Sequence, residues 1–339
     1  MIDLLVVGGG PAGLATAIHA ARAGLDTVVA EPRPTPIDKA CGEGLMPGAV
    51  RALAAMGVAV EGHPLRGIRY LDERHVAEAR FRDGAGRGVR RTELQAALAR
   101  RAAELGIPVI PLRAGVVRQD ADGVTAAGLG ISARYLAAAD GLHSPIRRQL
   151  SLEQTDPRPS RYGLRRHFAV PPWTDCVEVH WSPRAEAYVT PLGPELVGVA
   201  VLTTERGPFP ASLDRFPGLA ARLPATAATG VRGAGPLRQR VLRRVAGRVL
   251  LVGDAAGYID ALTGEGISLA LATAAELVRC VGGGRVQDYE AAWLRASRRH
   301  RLLTESLLWA RARPRLARSI VPAASRLPAV FTALVNQLA

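Results

Sequence analysis

A glycine-rich segment close to the N-terminus has the residue types and the spacing that hold a diphosphate. It follows an apolar run and consists of Gly8, Gly10, Pro11, Ala12 and Gly13 in the pattern G-x-G-x-x-G. In such a loop the first glycine permits a tight turn, the second lets a pyrophosphate approach the backbone, and the third lets a helix pack closely on a strand. Glu31, eighteen residues after Gly13, ends the next apolar run, where a carboxylate accepts hydrogen bonds from a ribose. The pattern predicts a site for an ADP moiety. Arg33, two residues after Glu31, is predicted to belong to the same site.

Two later segments place acidic residues and glycines at the ends of apolar runs. The first, "ARYLAAADGLHSPIRRQL", reaches Asp140 after its apolar part. The second, "GRVLLVGDAAGYIDALTGEGI", passes through Gly253 and Asp254 and ends in the run "TGEGI". Gly264 and Gly266 in that run would let a flat ring lie close to the backbone. A helix that begins there offers N–H groups and positive potential to negative charge on the ring.

Alternating strands and helices are needed to position these three segments. Residues 4–7 and 27–30 predict two buried parallel strands, and residues 12–23 have the periodicity of a helix between them. A further strand precedes Asp140, and another at residues 249–252 precedes Asp254. Nucleotides bind at the carboxyl ends of such strands. The sequence therefore predicts an α/β fold with a Rossmann-like domain of three layers around a parallel sheet.

With these three segments in this order, the sequence resembles the FAD-dependent monooxygenases and geranylgeranyl-reductase-like flavoproteins, which share the p-hydroxybenzoate hydroxylase fold. The resemblance covers roughly residues 3 to 290. It implies non-covalent FAD, with NAD(P)H as a transient reductant because no second G-x-G-x-x-G follows a strand. In the family an aspartate binds the ribityl chain and an R-x-x-L arginine touches FAD; these correspond to Asp254 and Arg91. The implied cofactor contacts are Gly8, Gly10, Pro11, Ala12, Gly13, Glu31, Arg33, Arg91, Asp140, Gly253, Asp254, Gly264, Glu265, Gly266 and Ile267, and no metal ligand is implied.

The resemblance implies two enzyme activities, and different residues favour each. The run "CGEG" is similar to the reductase branch, in which Cys41 and Glu43 would lie near flavin and substrate. Hydroxylases carry a proline before the TGEGI loop whose carbonyl is tied to the flavin hydroperoxide; Ala261 replaces it and keeps a carbonyl beside Gly264 and Gly266. The Y-x-W-x-F-P stretch of prenyl reductases is replaced by "AYVTPLG".

We therefore expect an NAD(P)H-dependent monooxygenase that uses O2, through a flavin C4a-hydroperoxide, to hydroxylate an aromatic or enolic small molecule. The alternative is a reductase of prenyl double bonds, and a more remote one is a non-catalytic prenyl-protein carrier.

Short alternating runs between residues 151 and 237 predict a second, antiparallel sheet that covers the flavin. The predicted substrate-pocket residues are Met46, His180, Tyr188 and Pro191. A helical segment follows, with breaks expected at Pro314, Pro322 and Pro328. The expected domains are an FAD-binding domain at residues 1–70, 88–150 and 238–287, a sheet domain at 71–87 and 151–237, and a C-terminal helical cap at 288–339.

Composition limits the partners. The formal net charge is +14, but the arginines are scattered and only 4% of residues are aromatic, which argues against nucleic acid. Three widely spaced cysteines form no disulfide framework or zinc pattern. Because no apolar run reaches membrane-spanning length and no signal peptide precedes the first strand, we expect a cytoplasmic protein with a small lipophilic or aromatic substrate. The basic C-terminal helices predict either a packed cap or a peripheral membrane contact.

Overall fold

A computed structural model describes residues 1–338 of the chain. Within these residues the strands are β1 (Ile2–Val7), β2 (Thr27–Ala30), β3 (Gly44–Leu45), β4 (His63–Leu65), β5 (Gly67–Leu71), β6 (Val76–Arg80), β7 (Gly86–Gly88), β8 (Val109–Ile110), β9 (Val117–Gln119), β10 (Val124–Ala126), β11 (Ile131–Ala138), β12 (Glu153–Gln154), β13 (Tyr162–Phe168), β14 (Cys176–Trp181), β15 (Ala185–Gly193), β16 (Leu196–Thr203), β17 (Arg232–Ala234), β18 (Arg240–Val241), β19 (Val245–Ala246) and β20 (Val249–Leu251). The helices are α1 (Pro11–Arg22), α2 (Pro47–Ala55), α3 (Arg91–Glu104), α4 (Pro145–Gln149), α5 (Phe209–Leu213), α6 (Pro217–Ala220), α7 (Gly266–Gly282), α8 (Asp288–Arg311), α9 (Pro314–Ala317), α10 (Ile320–Arg326) and α11 (Pro328–Leu338), and a short 3-10 turn spans Gly253–Ala256.

The glycine-rich loop lies at the centre of an eight-stranded sheet. The middle strands run in the order β20–β11–β1–β2–β8, and each neighbouring pair is parallel. Leu4, Leu5 and Val6 of β1 are fully buried, as expected for a strand covered on both faces. Parallel strands end at the same edge, so the glycine loop after β1, Glu31 after β2 and Asp140 after β11 come together there. The predicted α/β class with a parallel Rossmann-like sheet is confirmed.

Helix α1 forms where the sequence predicts it, starting one residue earlier. Pro11 occupies the first turn, where its missing N–H costs nothing. Gly24 follows the helix with φ +76°, a backbone that favours glycine. The small and apolar side chains between them are mostly buried, and α1 packs against α3 and α7. The loop and the start of this helix are thereby held rigidly against the sheet.

The second sheet has seven strands in the order β17–β13–β16–β15–β14–β5–β6. Its pairs are antiparallel, as predicted, except that β14 runs parallel to β5. Because β5 covers residues 67–71 and belongs to this sheet, it crosses the expected domain boundary between residues 70 and 71. The division into domains stays a prediction, with this boundary falling inside a strand.

The segment from residue 288 is helical, as predicted, but only two of the three prolines mark breaks. Pro314 begins α9 and Pro328 begins α11. Pro322 lies inside the first turn of α10, where the backbone N–H has no helical partner to lose, so the predicted break there is wrong. Phe331 and Val335 of α11 pack against Ala77 and Ala79 of β6. None of the helices in residues 1–338 is long and apolar enough to cross a membrane.

Candidate active site

Most residues predicted to hold the cofactor meet in one cavity of about 720 Å³. The cavity extends from the loop after β1 to the seven-stranded sheet, and four separate segments of the chain supply the predicted contacts in it. The predicted contacts that line it are Gly10, Pro11, Ala12, Arg91, Gly253, Asp254, Gly264, Gly266 and Ile267. Those outside the lining are Gly8, Gly13, Glu31, Arg33, Asp140 and Glu265.

Gly8 and Gly13 shape the loop, whereas Gly10 faces the cavity. Gly8 has φ +114°, and a Cβ there would overlap the carbonyl oxygen of Ala139. A Cβ on Gly13 would overlap the carbonyl oxygen of Gly8, so α1 can pack this closely only on glycine. At Gly10 the nearest neighbour of a Cβ would be Nη2 of Arg91, 3.8 Å away. No side chain within residues 1–338 caps α1, so its first amides and its dipole are available to a phosphate.

The Glu31 carboxylate is buried and already has four donors. Oε2 accepts hydrogen bonds from the Gly9 amide and from Nη2 of Arg33, each 2.8 Å long. Oε1 accepts from the amide and Nε of Arg33, at 2.9 and 2.8 Å. Burial acts to raise the pKa of Glu31, but these hydrogen bonds outweigh it and hold the pKa below its usual value. A ribose hydroxyl would therefore bind Glu31 in exchange for the half-exposed Arg33, which does not itself line the cavity.

The Glu31→Ala variant should bind FAD about 10- to 150-fold more weakly than the wild type. The variant loses a charged acceptor for the ribose, worth about 1.5–3 kcal/mol, and the partner that holds the Gly9 amide in the loop. Titration of apoprotein with FAD, followed by flavin fluorescence, measures the change. Glu93→Ala, which removes an exposed acid at the start of α3, is the matched control. Equal affinity of the two variants would remove Glu31 from the site.

Two buried polar atoms near the loop lack any hydrogen-bond partner among residues 1–338. They are Nη1 of Arg91 and Oδ1 of Asp140, whose other oxygen accepts a 3.0 Å hydrogen bond from the Ile146 amide. Burial lowers the pKa of Arg91 and raises that of Asp140. A buried guanidinium nitrogen without a partner is costly, and a diphosphate next to Gly10 would satisfy it. The orphaned Arg91 nitrogen therefore fits FAD, and Arg91 lies where the R-x-x-L pattern implies.

Asp254 shares the cavity with a lysine that sequence reasoning did not single out. Lys39, the only lysine in the chain, lines the cavity, and its Nζ lies 2.8 Å from where a Cβ on Gly141 would be. Desolvation raises the pKa of Asp254 and lowers that of Lys39, while the attraction between the two charges opposes both shifts. The sequence signal that could have identified Lys39 is that it is the single lysine of an arginine-rich chain and lies just before "CGEG". An ammonium at this position fits the negative charge of the FAD phosphates.

The TGEGI run leaves an open cradle at the start of α7. Gly264 has φ +71°, and no atom lies within 4 Å of the position of a Cβ there. Ala261 lines the cavity, and its carbonyl accepts a 3.1 Å hydrogen bond from the Gly264 amide. The carboxylate of Glu265 pairs with Nδ1 of His300 on α8 at 3.0 Å. The Glu265 side chain therefore joins two helices instead of lining the cavity, and its contact with the cofactor stays a prediction.

Glu43 lines the cavity and belongs to a buried polar network. It has φ +60°, a left-handed backbone that is uncommon for a residue with a side chain. Its Oε2 lies 2.6 Å from Nε2 of His167, and the His167 Nδ1 lies 3.0 Å from Oγ1 of Thr229 and 3.3 Å from Nη1 of Arg165. Cys41 also lines the cavity, and burial raises the pKa of its thiol. Sequence reasoning singled out Glu43 and Cys41 but not the pairing with His167.

Two of the four predicted substrate-pocket residues line a cavity. Met46 and Tyr188 do so, and the Tyr188 hydroxyl donates a 2.7 Å hydrogen bond to the backbone carbonyl of Leu262, which directly precedes the TGEGI run. His180 pairs with Glu178 at 3.1 Å instead, because alternate residues of β14 face opposite sides and its cavity-facing residues are valines. Pro191 lies three residues after Tyr188 in β15 and so faces the other side. The predictions for His180 and Pro191 are therefore wrong.

A second cavity, of about 360 Å³, adjoins the first. Met46, Val177, Tyr188 and Gly264 line both. Apart from Thr263 and Ser306, the side chains around it are apolar or aromatic. Most of them come from the seven-stranded sheet and from α8, α10 and α11, while Met46 and Leu262 come from loops. The C-terminal helices thus enclose an apolar space that meets the cofactor cavity at the TGEGI loop.

Comparison with known proteins identifies the same cofactor. The FAD binding domain family matches residues 1–194. A menaquinone reductase of Mycolicibacterium smegmatis is 32% identical over 86% of this chain and 79% of its own. Digeranylgeranylglycerophospholipid reductase 2 of Methanothermobacter thermautotrophicus is 30% identical over 86% of this chain and 83% of its own.

The fold agrees with a solved flavoprotein structure. A flavoprotein/dehydrogenase from Cytophaga hutchinsonii superposes with a TM-score of 0.86 at 17% identity, over 99% of this chain and 93% of that one. The free helix amides at the glycine loop, the orphaned Arg91 nitrogen and the open cradle at Gly264 all fit FAD. The chain therefore belongs to the FAD-dependent monooxygenase and geranylgeranyl-reductase-like superfamily and is an FAD-dependent oxidoreductase.

Proposed function

We propose that this protein reduces a carbon–carbon double bond in a long apolar substrate of the isoprenoid class. The observation that carries the proposal is the apolar cavity, which meets the cofactor cavity at Gly264. A small aromatic substrate would need only the larger, more polar cavity, whereas a hydrocarbon chain would occupy both. The two relatives described above are named as reductases, one of a quinone and the other of a geranylgeranyl lipid. The second cavity thus favours the prenyl reductase, which was the alternative in the sequence analysis, over the hydroxylase.

Residues at the junction of the two cavities would position the double bond. Met46, Val177 and Tyr188 line both cavities, so a chain that passes between them contacts all three. The hydrogen bond from Tyr188 to the Leu262 carbonyl ties the wall of the seven-stranded sheet to the TGEGI loop. The apolar side chains around the chain would exclude water from the reacting carbons.

Reduction of an alkene requires a hydride and a proton. Bound FAD, once reduced by NAD(P)H, supplies the hydride; NAD(P)H is the reductant typical of the family. We assign the proton to Glu43, whose carboxyl lines the cavity. Arg165 can only donate, so in the neutral ring Nδ1 of His167 accepts and Nε2 carries the proton toward Glu43. When the Arg165 hydrogen bond opens, the ring can take up a proton at Nδ1, on the side of the half-exposed Thr229, as it releases one from Nε2.

The reaction can be tested by a single turnover without oxygen. Protein reduced with dithionite and mixed with menaquinone or a geranylgeranyl lipid should give reoxidised flavin and a product with two additional hydrogens in its isoprenoid chain. Fragmentation in the mass spectrometer separates this product from one reduced in the quinone ring. Ala310→Trp, which fills the apolar cavity from α8, should lower kcat/KM for the long substrate by about tenfold or more, since each excluded methylene forfeits ~0.8 kcal/mol. Ala312→Trp, exposed just after the same helix, is the control. Failure of both substrates to gain hydrogens in the isoprenoid chain would contradict the proposal.

Hydroxylation is the second candidate because Ala261 retains a carbonyl at the cavity. The Ala261 carbonyl accepts one hydrogen bond, from the Gly264 amide, and its second lone pair can accept another from a ligand. Mixing the reduced protein with O2 and a phenol tests this candidate. A product heavier by one oxygen, together with no reduction of either isoprenoid, would favour hydroxylation over the reductase.

A further inference from the structure

The mouth of the apolar cavity is surrounded by exposed apolar side chains. Leu327, Val330 and Leu334 line the cavity, yet all three are exposed, Leu327 by 56%. On α8, Ser306 lines the cavity and is also exposed. Leu302 and Trp309 lie four residues before and three residues after Ser306, on the same helix face, and Trp309 is 55% exposed. We call Leu302, Trp309, Leu327, Val330 and Leu334 the rim.

The segment that carries the rim is strongly basic. Residues 291–338 contain nine arginines and a single acidic residue, Glu305. Glu305 pairs with Arg158 and Arg238 from other parts of the chain, so it does not offset the local charge. The exposed arginines of this segment that form no ion pair within residues 1–338 are Arg295, Arg298, Arg299, Arg313, Arg315, Arg318 and Arg326. Arg313 stacks on the rim residue Trp309, with 3.8 Å between guanidinium carbon and ring centroid.

We propose that the rim and its arginines dock on an anionic lipid bilayer, from which the substrate enters the apolar cavity. Exposed leucines and a tryptophan bordered by arginines have the composition of an interfacial surface, in which apolar side chains enter the acyl boundary and cations remain at the headgroups. A second copy of the chain would bring two like-charged surfaces together, which opposes dimerisation through this face. The contact is peripheral, because no helix in the described part of the chain can span a bilayer.

The body of the protein fixes the orientation of this surface. Arg311 near the end of α8 pairs with the buried Glu186 of β15. His300 on the same helix pairs with Glu265 at the start of α7. These two attachments hold α8 against the seven-stranded sheet and the TGEGI loop, so docking of the rim places the cavity mouth at the lipid surface. The inference rests on the proposed function for its apolar substrate. Docking on the bilayer can nevertheless be measured without turnover.

Co-sedimentation with vesicles tests the inference on the FAD-bound protein. Vesicles of equal parts phosphatidylglycerol and phosphatidylcholine should bind the wild type, and pure phosphatidylcholine vesicles should bind it much less. Binding of the triple variant Arg313→Gln, Arg315→Gln, Arg318→Gln to the anionic vesicles should fall on the order of 100-fold, at about fivefold for each arginine near the surface. Trp309→Ser combined with Leu327→Ser should lower vesicle binding at high salt as well. Salt screens the attraction between arginines and lipid headgroups, but it does not screen the burial of apolar side chains.

Matched surface variants elsewhere are the controls. Arg100→Gln, Arg113→Gln, Arg118→Gln removes three exposed arginines outside the helical segment, and Leu112→Ser with Val116→Ser removes two exposed apolar side chains. Both should bind vesicles like the wild type. The inference is wrong if the wild type ignores anionic vesicles, if the controls lose as much binding, or if the rim variants change the oligomeric state in gel filtration and leave vesicle binding intact. Vesicle binding without alkene reduction would keep this inference and reject the proposed reaction.

Discussion

The Asp254→Ala variant should purify with most of its flavin missing. Asp254 lies in the cofactor cavity directly after β20, where the family's aspartate holds the ribityl chain. Removing one charged acceptor from a hydroxyl costs about 1.5–3 kcal/mol, which weakens FAD binding roughly 10- to 150-fold. The variant would also remove the negative charge that attracts Lys39 and Arg91 in the cavity. The ratio of absorbance at the flavin band to that at the protein band measures the loss after dialysis.

Two companion variants separate loss of the acceptor from loss of the fold. Asp254→Asn keeps the size and one acceptor oxygen, so its flavin content should lie between those of the wild type and Asp254→Ala. Asp122→Ala, an exposed acid in a turn of the same domain, should keep full occupancy. Circular dichroism should be the same for all three variants. Wild-type flavin affinity in Asp254→Ala would exclude this residue from the site.

Glu43→Gln should slow substrate reduction by about 100-fold or more, if the proposed proton transfer is correct. General acid catalysis by a positioned group contributes about 10²- to 10⁴-fold. Glutamine keeps the shape of the side chain and can still accept from the Arg91 amide through its oxygen, but it has no acidic proton to give. Reduction of the flavin by dithionite should be unchanged, because this step does not use the carboxyl. Rapid mixing without oxygen separates the two steps.

In the proposed proton transfer His167 contacts Glu43 and does not line the cavity, so it needs a readout different from that of Glu43→Gln. His167→Asn should change the pH profile of substrate reduction, since the ring that passes a proton to Glu43 is missing. In D2O the wild-type product should carry two deuteriums, because the flavin N–H that supplies the hydride exchanges with solvent, and it should form more slowly.

The chain also contains a matched control pair. Glu178 and His180 lie 3.1 Å apart on the side of β14 that faces away from the cavities, and His180→Asn should leave the reaction unchanged. If Glu43→Gln reduces substrate as fast as His180→Asn does, the proton comes from another group.

Local sequence was sufficient wherever neighbours along the chain decide the geometry. The first strand, the glycine loop and α1 form one continuous unit, in which each residue's role depends on residues a few positions away. Gly8 and Gly13 had to be glycine for reasons visible in the spacing alone, and the predicted second strand coincides with β2. The ADP site and the α/β class followed from these short-range patterns, and the family resemblance carried by the two later glycine and acid segments implied FAD.

Tertiary structure decided whatever depends on which face a side chain takes and which distant segment it meets. Alternation in β14 was readable, but only the assembled sheet shows that its valines face the cavities and that His180 does not. Glu43 and His167 are 124 residues apart and meet only because the "CGEG" loop crosses β13. The apolar cavity exists because α8, α10 and α11 fold back over the seven-stranded sheet, an arrangement that helical periodicity cannot specify. Long-range packing of this kind is set by the whole set of contacts, so the sequence alone predicted the cofactor and left the substrate to the fold.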